Sequence, residues 1–157
     1  MLTIQSGFDK TNGARLPNTP LINPATNDIV FGVIDEMKGP RYSLLGADIW
    51  LKRGRHSGLQ GGFGATHIWE EHRAEMARRN FHSFEEVPAY VAEIIQPGTP
   101  VYCEFNQMSG HPRLTVFRSA RGVAILELKQ MRDGDHYSVV TAYSNSRAHG
   151  TRVGTVR

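Results

Sequence analysis

The chain is poor in cysteine: Cys103 is the only one among 157 residues. A lone thiol excludes an internal disulfide framework and fits folding in a reducing compartment. Long apolar runs are missing too, and no stretch approaches the ~20 residues that cross a bilayer as a helix. The opening Met1-Leu2-Thr3-Ile4-Gln5-Ser6-Gly7 lacks the basic region and apolar stretch of a secretory signal. Any export is therefore expected by another route, for instance as the tail of a larger polypeptide. There is no internal repeat and no low-complexity tract. A strong excess of one charge is also absent: 18 Lys and Arg against 15 Asp and Glu leave +3, a mild tilt toward a polyanionic partner. What is present, 39% apolar and 21% charged residues, suits one globular domain with a single core.

Turn formers crowd residues 1–28, among them Asn12-Gly13, Pro17, Pro20 and Asn23-Pro24, and predict irregular chain. Ile29-Val30-Phe31-Gly32-Val33-Ile34 is apolar and β-branched, a short strand or buried extended segment. Residues 39–52 suggest a short helix with Leu44, Leu45, Ile49 and Trp50 on one side. Lys52-Arg53-Gly54-Arg55-His56 reads as a solvated basic loop, leading to the glycines at 58, 61, 62 and 64. Residues 1–57 are thus expected to form an irregular segment packed on a helix-plus-sheet domain over 58–157.

Helical spacing begins at Thr66 and runs to about Arg79. Ile68, His72 and Met76 share one side, and Thr66 is placed to cap. A second helix follows Ser83 and Glu86, a capping-box pair. Pro88 falls in its first turn, and Pro97-Gly98 ends it. The period then changes to two. Val101, Cys103 and Phe105 alternate with polar residues, and three more strands follow, over 113–118, 123–129 and 137–144. Turns at Ser109-Gly110-His111-Pro112, Ala120-Arg121-Gly122 and Asp133-Gly134-Asp135 separate them. The predicted class is α+β, helices packed on a four-stranded antiparallel meander.

Strand parity sorts these residues into two faces. Leu114, Val116, Ala124, Leu126, Leu128, Val140 and Ala142 make an apolar set suited to lying beneath the helices. Arg113, Thr115, Phe117, Ile125, Glu127, Lys129, Tyr137, Val139, Thr141 and Tyr143 fall on the other face, where polar and ionisable groups converge. Arg118 counts to the helix side but sits at a strand end.

A histidine at a helix start, facing a sheet that offers Arg, Glu, Thr and Tyr, is the equipment of metal-free RNA cleavage. That reaction uses the substrate's own 2′-hydroxyl as nucleophile. It needs a base, an acid for the leaving oxygen, and donors for the developing phosphate charge. His67 suits base or acid work, and its first-turn position favours the neutral form. Arg113 offers a cationic fork for phosphate. Thr141 and Tyr143 can donate hydrogen bonds, and Tyr143 can stack a nucleobase. Glu127 is a second candidate for proton transfer. His67 and His72 are five residues apart, about 140° around a helix, too far round to share an ion, so neither metal nor cofactor is expected.

Taken in order, Gly64-Ala65-Thr66-His67-Ile68-Trp69-Glu70-Glu71-His72, the Arg113 strand, the strand from Val123 to Leu128, and Val140-Thr141-Ala142-Tyr143 resemble the barnase/EndoU/colicin/RelE-like (BECR) nuclease superfamily. The likeness is to its phage-associated branch and to its polymorphic and contact-dependent growth inhibition toxins. It covers roughly residues 58–146. It implies helices against a four-stranded antiparallel sheet and an endoribonuclease, often one that cuts tRNA. The family's helix histidine would be His67, its strand arginine Arg113, and its terminal-strand hydroxyl Thr141. Such toxins are commonly delivered between competing bacteria as part of a larger polypeptide, act in the target-cell cytoplasm, and are neutralised by a cognate immunity protein.

Each candidate also has a plainer role. His67 reads equally as a solvated helix-start residue, and His72 as a buried histidine with a hydrogen-bond partner. Arg113 can discourage edge aggregation, Glu127 can pair with Lys129 or a neighbouring arginine, and Thr141 is a good strand former. Arg147, His149, Arg152 and Arg157 form a basic tail expected to fray. His56, His82, His111 and His136 are read as turn or loop residues with no role. Two other functions fit parts of the pattern: a non-catalytic RNA-binding or phage structural module, and an ADP-ribosyltransferase. For the latter, Arg113, Glu104 and Tyr143-Ser144-Asn145-Ser146 make only a scattered imitation.

Overall fold

In the computed structural model, residues 17–40, 42–58, 61–105, 113–132, 134–148 and 150–157 are described. The expectations for residues 1–16, for the Ser109 to Pro112 turn, for Asp133 and for His149 lie outside them. The alternation beyond residue 100 is realised as strands β7 (Pro100–Glu104), β8 (Arg113–Arg118), β9 (Gly122–Met131) and β10 (Gly134–Tyr143), preceded by helices α1 (Gly64–Arg78) and α2 (Val87–Ile94). The N-terminal half contributes β1 (Val30–Ile34), β2 (Met37–Gly39), β3 (Tyr42–Leu44), β4 (Ala47–Trp50), β5 (Arg55–His56) and β6 (Gly62–Phe63). The C-terminal residues add β11 (Thr151–Thr155).

The class is α+β, but the sheet is larger than the four-stranded meander expected. Seven strands pair in the order β1-β4-β10-β9-β8-β7-β11, beside two short hairpins, β2-β3 and β5-β6. β4 runs parallel to β10, through His136↔Asp48, Tyr137↔Ile49 and Ser138↔Trp50. The other pairings of that sheet are antiparallel.

Two expectations fail here. The proposed helix over 39–52 is two short strands and a turn, and its apolar side splits: Leu44 and Ile49 are buried while Leu45 is 42% exposed. Full burial of Ile49 is worth roughly 1.5–3 kcal/mol, against helix-propensity differences of at most about 0.7 kcal/mol per ordinary residue. Tertiary burial decides. The tail expected to fray instead pairs with β7 through Thr151↔Cys103, Arg152↔Tyr102, Gly154↔Val101 and Thr155↔Pro100.

The chain end then reaches the opposite rim. Val33 N donates to Arg157 O at 3.2 Å, and Arg157 N donates to Val33 O at 2.9 Å, so the sheet curls until its two edges meet. Gly32 permits this closure, because a Cβ there would stand 2.7 Å from Val156 Cγ1 and 3.2 Å from Ile95 Cγ2.

One face of the sheet forms the core. Ile34, Ile49, Val101, Cys103, Leu114, Val116, Ala124, Leu126, Val139 and Ala142 pack with Ile68 and Met76 of α1 and with Val87, Tyr90, Val91 and Ile94 of α2. Burial pushes the Cys103 thiol up to about 11. Tyr137 is pushed up to about 12 by burial, and its hydroxyl donates to Leu45 O at 2.7 Å. Arg118 stays on the helix side, donating to the Glu93 carbonyl of α2.

A bulge in β10 corrects the parity argument. Pairing runs Tyr137↔Leu128 and Val139↔Leu126, skips Val140, then resumes with Thr141↔Ile125, Ala142↔Ala124 and Tyr143↔Val123. Tyr137 and Val139 therefore belong to the core face, not the polar one. In their place Ser138 stands opposite Glu127, and His136 opposite Lys129. Thr141 and Tyr143, beyond the extra residue, keep their assigned face.

Candidate active site

Helix α1 starts at Gly64, not Thr66, and has no side-chain cap. Its first amides are satisfied by the chain before it: Ala65 N donates to Lys52 O at 2.9 Å and Thr66 N to Arg53 O at 2.8 Å. That contact draws the basic loop inward. Lys52 is 3% exposed, and the Arg53 guanidinium lies 5.1 Å from the Phe84 ring centre. This segment is packed structure rather than the solvated run expected. The β5-β6 hairpin then pairs His56 with Gly62 and Arg55 with Phe63. Gly62 sits at φ +107°, in the region that favours glycine, and a Cβ there would come 2.9 Å from His56 Cα. The glycine-rich loop thus lays His56 against the start of α1.

The result is a histidine pair. His56 Nδ1 is 3.1 Å from His67 Nδ1, and His56 Nε2 is 3.5 Å from Glu71 Oε2. His67 is 7% exposed, which corrects its reading as a solvated helix-start residue. Burial holds it below its ordinary 6.5, with His56 and His72 adding to the effect. Glu71 and a hydrogen bond to the Gly61 backbone pull the other way. The contact also constrains the tautomers. Glu71 calls for a proton on His56 Nε2. His67 also donates to the Gly61 backbone, so His56 Nδ1 and the Gly61 carbonyl are both partners of its ring nitrogens.

A second histidine–carboxylate pair lies further along α1. His72 Nδ1 is 2.9 Å from Glu75 Oε2, and its ring stacks on Tyr143 with centres 5.1 Å apart at 27°. The other carboxylate oxygen, Glu75 Oε1, accepts from Ser144 N at 2.8 Å. The Tyr90 hydroxyl is 3.3 Å from Ser144 Oγ. Glu75 therefore braces His72 against the end of β10.

The helix has room there because β4 pairs only with His136 to Ser138. Among the described residues, the rest of β10 has no strand on that side, and α1 packs against β10. The two run in the same sense. Phe63, just before α1, shares a cavity with Glu127 and Leu128, whose β10 partners are Ser138 and Tyr137; Glu75 meets Ser144 at the other end. His67 lies about 7.5 Å before His72 along the helix, and Thr141 about 6.6 Å before Tyr143 along the strand. His67 and Thr141 are thus at one level.

The remaining candidates form a charged row on the same sheet face as Thr141. Arg113 Nη2 is 4.0 Å from Glu127 Oε2, and Lys129 Nζ is 2.8 Å from Glu127 Oε1. Both plainer pairings considered for Glu127 are present. Arg113 stands two strands from β10, about 10 Å sideways. Among the described residues, no hydrogen bond or ion pair links Arg113 or Glu127 to His56, His67 or His72. The same face holds buried polar atoms that find no partner among the described residues: Thr115 Oγ1, Ser138 Oγ, Thr141 Oγ1 and Trp50 Nε1.

The structure therefore joins His72 to Tyr143 and His67 to His56 as two groups along α1, and sets Arg113 and Glu127 apart from both in a charged row on β8 and β9. Sequence reasoning missed His56, Glu71, Glu75 and Ser144. The two glutamates carried a signal, since residues three and four apart on a helix are neighbours; His56 carried none. Among the described residues, no three histidine, cysteine, aspartate or glutamate side chains converge to hold a metal ion. No family model, curated protein or solved structure matches the chain.

Proposed function

We propose that the chain is a metal-independent endoribonuclease that cuts RNA, with tRNA as the substrate class the BECR resemblance favours, by transesterification. The observation that carries this reading is the pair of carboxylate-backed histidines on α1, His67 with His56 and Glu71, and His72 with Glu75. Strand cleavage needs two proton-transfer groups, and in this reading His67 and His72 supply them. His67 takes the proton of the 2′-hydroxyl as its oxygen attacks phosphorus. Glu71, beside His56, offsets the positive charge that His67 gains. His72 Nε2 gives a proton to the departing 5′-oxygen, while Glu75 holds its other nitrogen. The products are a 2′,3′-cyclic phosphate and a 5′-hydroxyl end. Thr141 backs the site from the sheet, Tyr143 holds the acid by stacking, and Arg113 contributes positive charge from the adjoining row.

In this reading the chain is the nuclease part of a larger bacterial competition polypeptide. It is delivered into the target-cell cytoplasm and restrained in the producer by a cognate immunity protein. The resemblance supports that setting. Incubation with total RNA in the presence of chelator tests the chemistry: cyclic phosphate ends should form with wild type and vanish with His67→Ala. Binding without cutting by wild type would leave an RNA-binding module, and NAD consumption would leave a transferase.

A further inference from the structure

A cleft of about 600 Å³ opens beside Phe63, just before α1, lined also by Asn18, Lys52, Glu127, Leu128, Lys129, Gln130 and Met131. We infer that it is a nucleobase subsite, which holds the base next to the bond being cut and gives the enzyme a base preference. This deepens the ribonuclease reading and rests on it for the identity of the polymer.

The backbone of β6 connects the cleft to the start of α1. Phe63 forms its aromatic wall, and Phe63 pairs with Arg55 in the same two-residue hairpin in which His56 pairs with Gly62. Phe63 also directly precedes Gly64, the first residue of α1, so a ligand against its ring lies one helical turn from His67. The ring is braced by the Lys52 ammonium, 5.9 Å from its centre. An aromatic wall suits the flat face of any base. The rest of the lining suits its edge. Asn18 and Gln130 are exposed amides, each offering both a donor and an acceptor. Glu127 and Lys129 set an acceptor and a donor side by side at 2.8 Å. A base edge presents the same alternation of donors and acceptors, whereas a bare phosphate presents acceptors alone. Glu127 belongs both to this cleft and to the row containing Arg113, which joins base reading to phosphate binding.

The test titrates the four nucleoside 5′-monophosphates and ribose 5-phosphate into the whole chain, and maps cut sites on RNA in parallel. One or two of the nucleotides should bind at least about tenfold more tightly than ribose 5-phosphate. Phe63→Leu, which keeps apolar volume, should remove most of that difference. Gln130→Ala and Asn18→Ala, both at exposed positions, should leave the fold intact and flatten the preference among bases. His67→Ala should stop cleavage and retain nucleotide binding. Equal binding of ribose 5-phosphate, or no saturable binding by any nucleotide, overturns the subsite. So does an unchanged cut-site pattern in Phe63→Leu when RNA is still cut, and in that event the ribonuclease reading stands. Selective nucleotide binding by a wild-type chain that leaves RNA whole does the reverse: the subsite stands and the ribonuclease reading falls.

Discussion

The two faces of the main sheet carry opposite kinds of burial. On the helix side, Leu114, Val116, Leu126 and Val139 are fully buried in the apolar core shared with α1 and α2. On the other side, Thr115 is equally buried, yet its hydroxyl meets no partner among the described residues, and Ser138, Thr141 and Trp50 share that condition. Each buried polar group left unpaired costs about 1–3 kcal/mol. The same strands are therefore stabilised from one side and burdened from the other. The burdened side is the one that turns Thr141 and Tyr143 toward α1.

This contrast can be broken or sharpened by substitution. The largest effect is expected at His67: replacement by Ala should lower cleavage by about 10²–10⁴-fold, the scale of a lost general base, measured as cyclic phosphate released. Equal rates for the two proteins would remove His67 from the chemistry. On the core side, Leu126→Ala should cost about 2–5 kcal/mol in denaturant unfolding, while the folded fraction still cuts at the wild-type rate. A rate that fell further than the folded fraction would mean that the two faces are not separable. Thr141→Val keeps shape and deletes only the hydroxyl, so stability should hold or rise while cleavage falls by about 10–100-fold.

Acidity should separate the regions next. Because His67 is held below 6.5 when folded, the unfolded chain binds its proton first as pH falls. The stability tied to neutral His67 is fully present above pH 6.5 and is lost as pH drops below 6.5 toward the lower folded value. Thermal unfolding should therefore occur at lower temperature at pH 5 than at pH 8, and His67→Gln should reduce that difference. The acid limb of kcat/KM should fall below 6.5 for the same reason. The smallest effect is expected from Thr115→Val, which removes a buried, unpaired hydroxyl and should stabilise the fold by about 1 kcal/mol. A loss of stability there would show that the hydroxyl is satisfied in solution.

Legibility followed the length of the pattern. β8, β9 and β10 run for six to ten residues, long enough for a period of two to stand out, and α1 spans four turns at a period of 3.6. Pro88 lies in the first turn of the second helix as expected, but Ser83 makes no side-chain cap; Glu86 instead accepts from His82 N and Ser83 Oγ. β4 has four residues, too few to tell a strand from one helical turn. β11 spells Thr-Arg-Val-Gly-Thr, which shows no apolar side, because its partners supply the burial. The bulge at Val140 left no local mark, and it reversed the assignment of Tyr137 and Val139. Within the site, Glu71 and Glu75 followed from helical spacing once His67 and His72 were singled out. His56 became visible only when the glycines at 61 and 62 folded its strand back on α1.

The bond pair between Val33 and Arg157 makes the last residue a latch on the second half of a ring. Removing the final two residues, or fusing a bulky partner directly to them, would spring that latch and bare two strand rims at once. Bare rims recruit other chains. Loss of that bond pair would then make the protein sticky through a change remote from His56, His67 and His72.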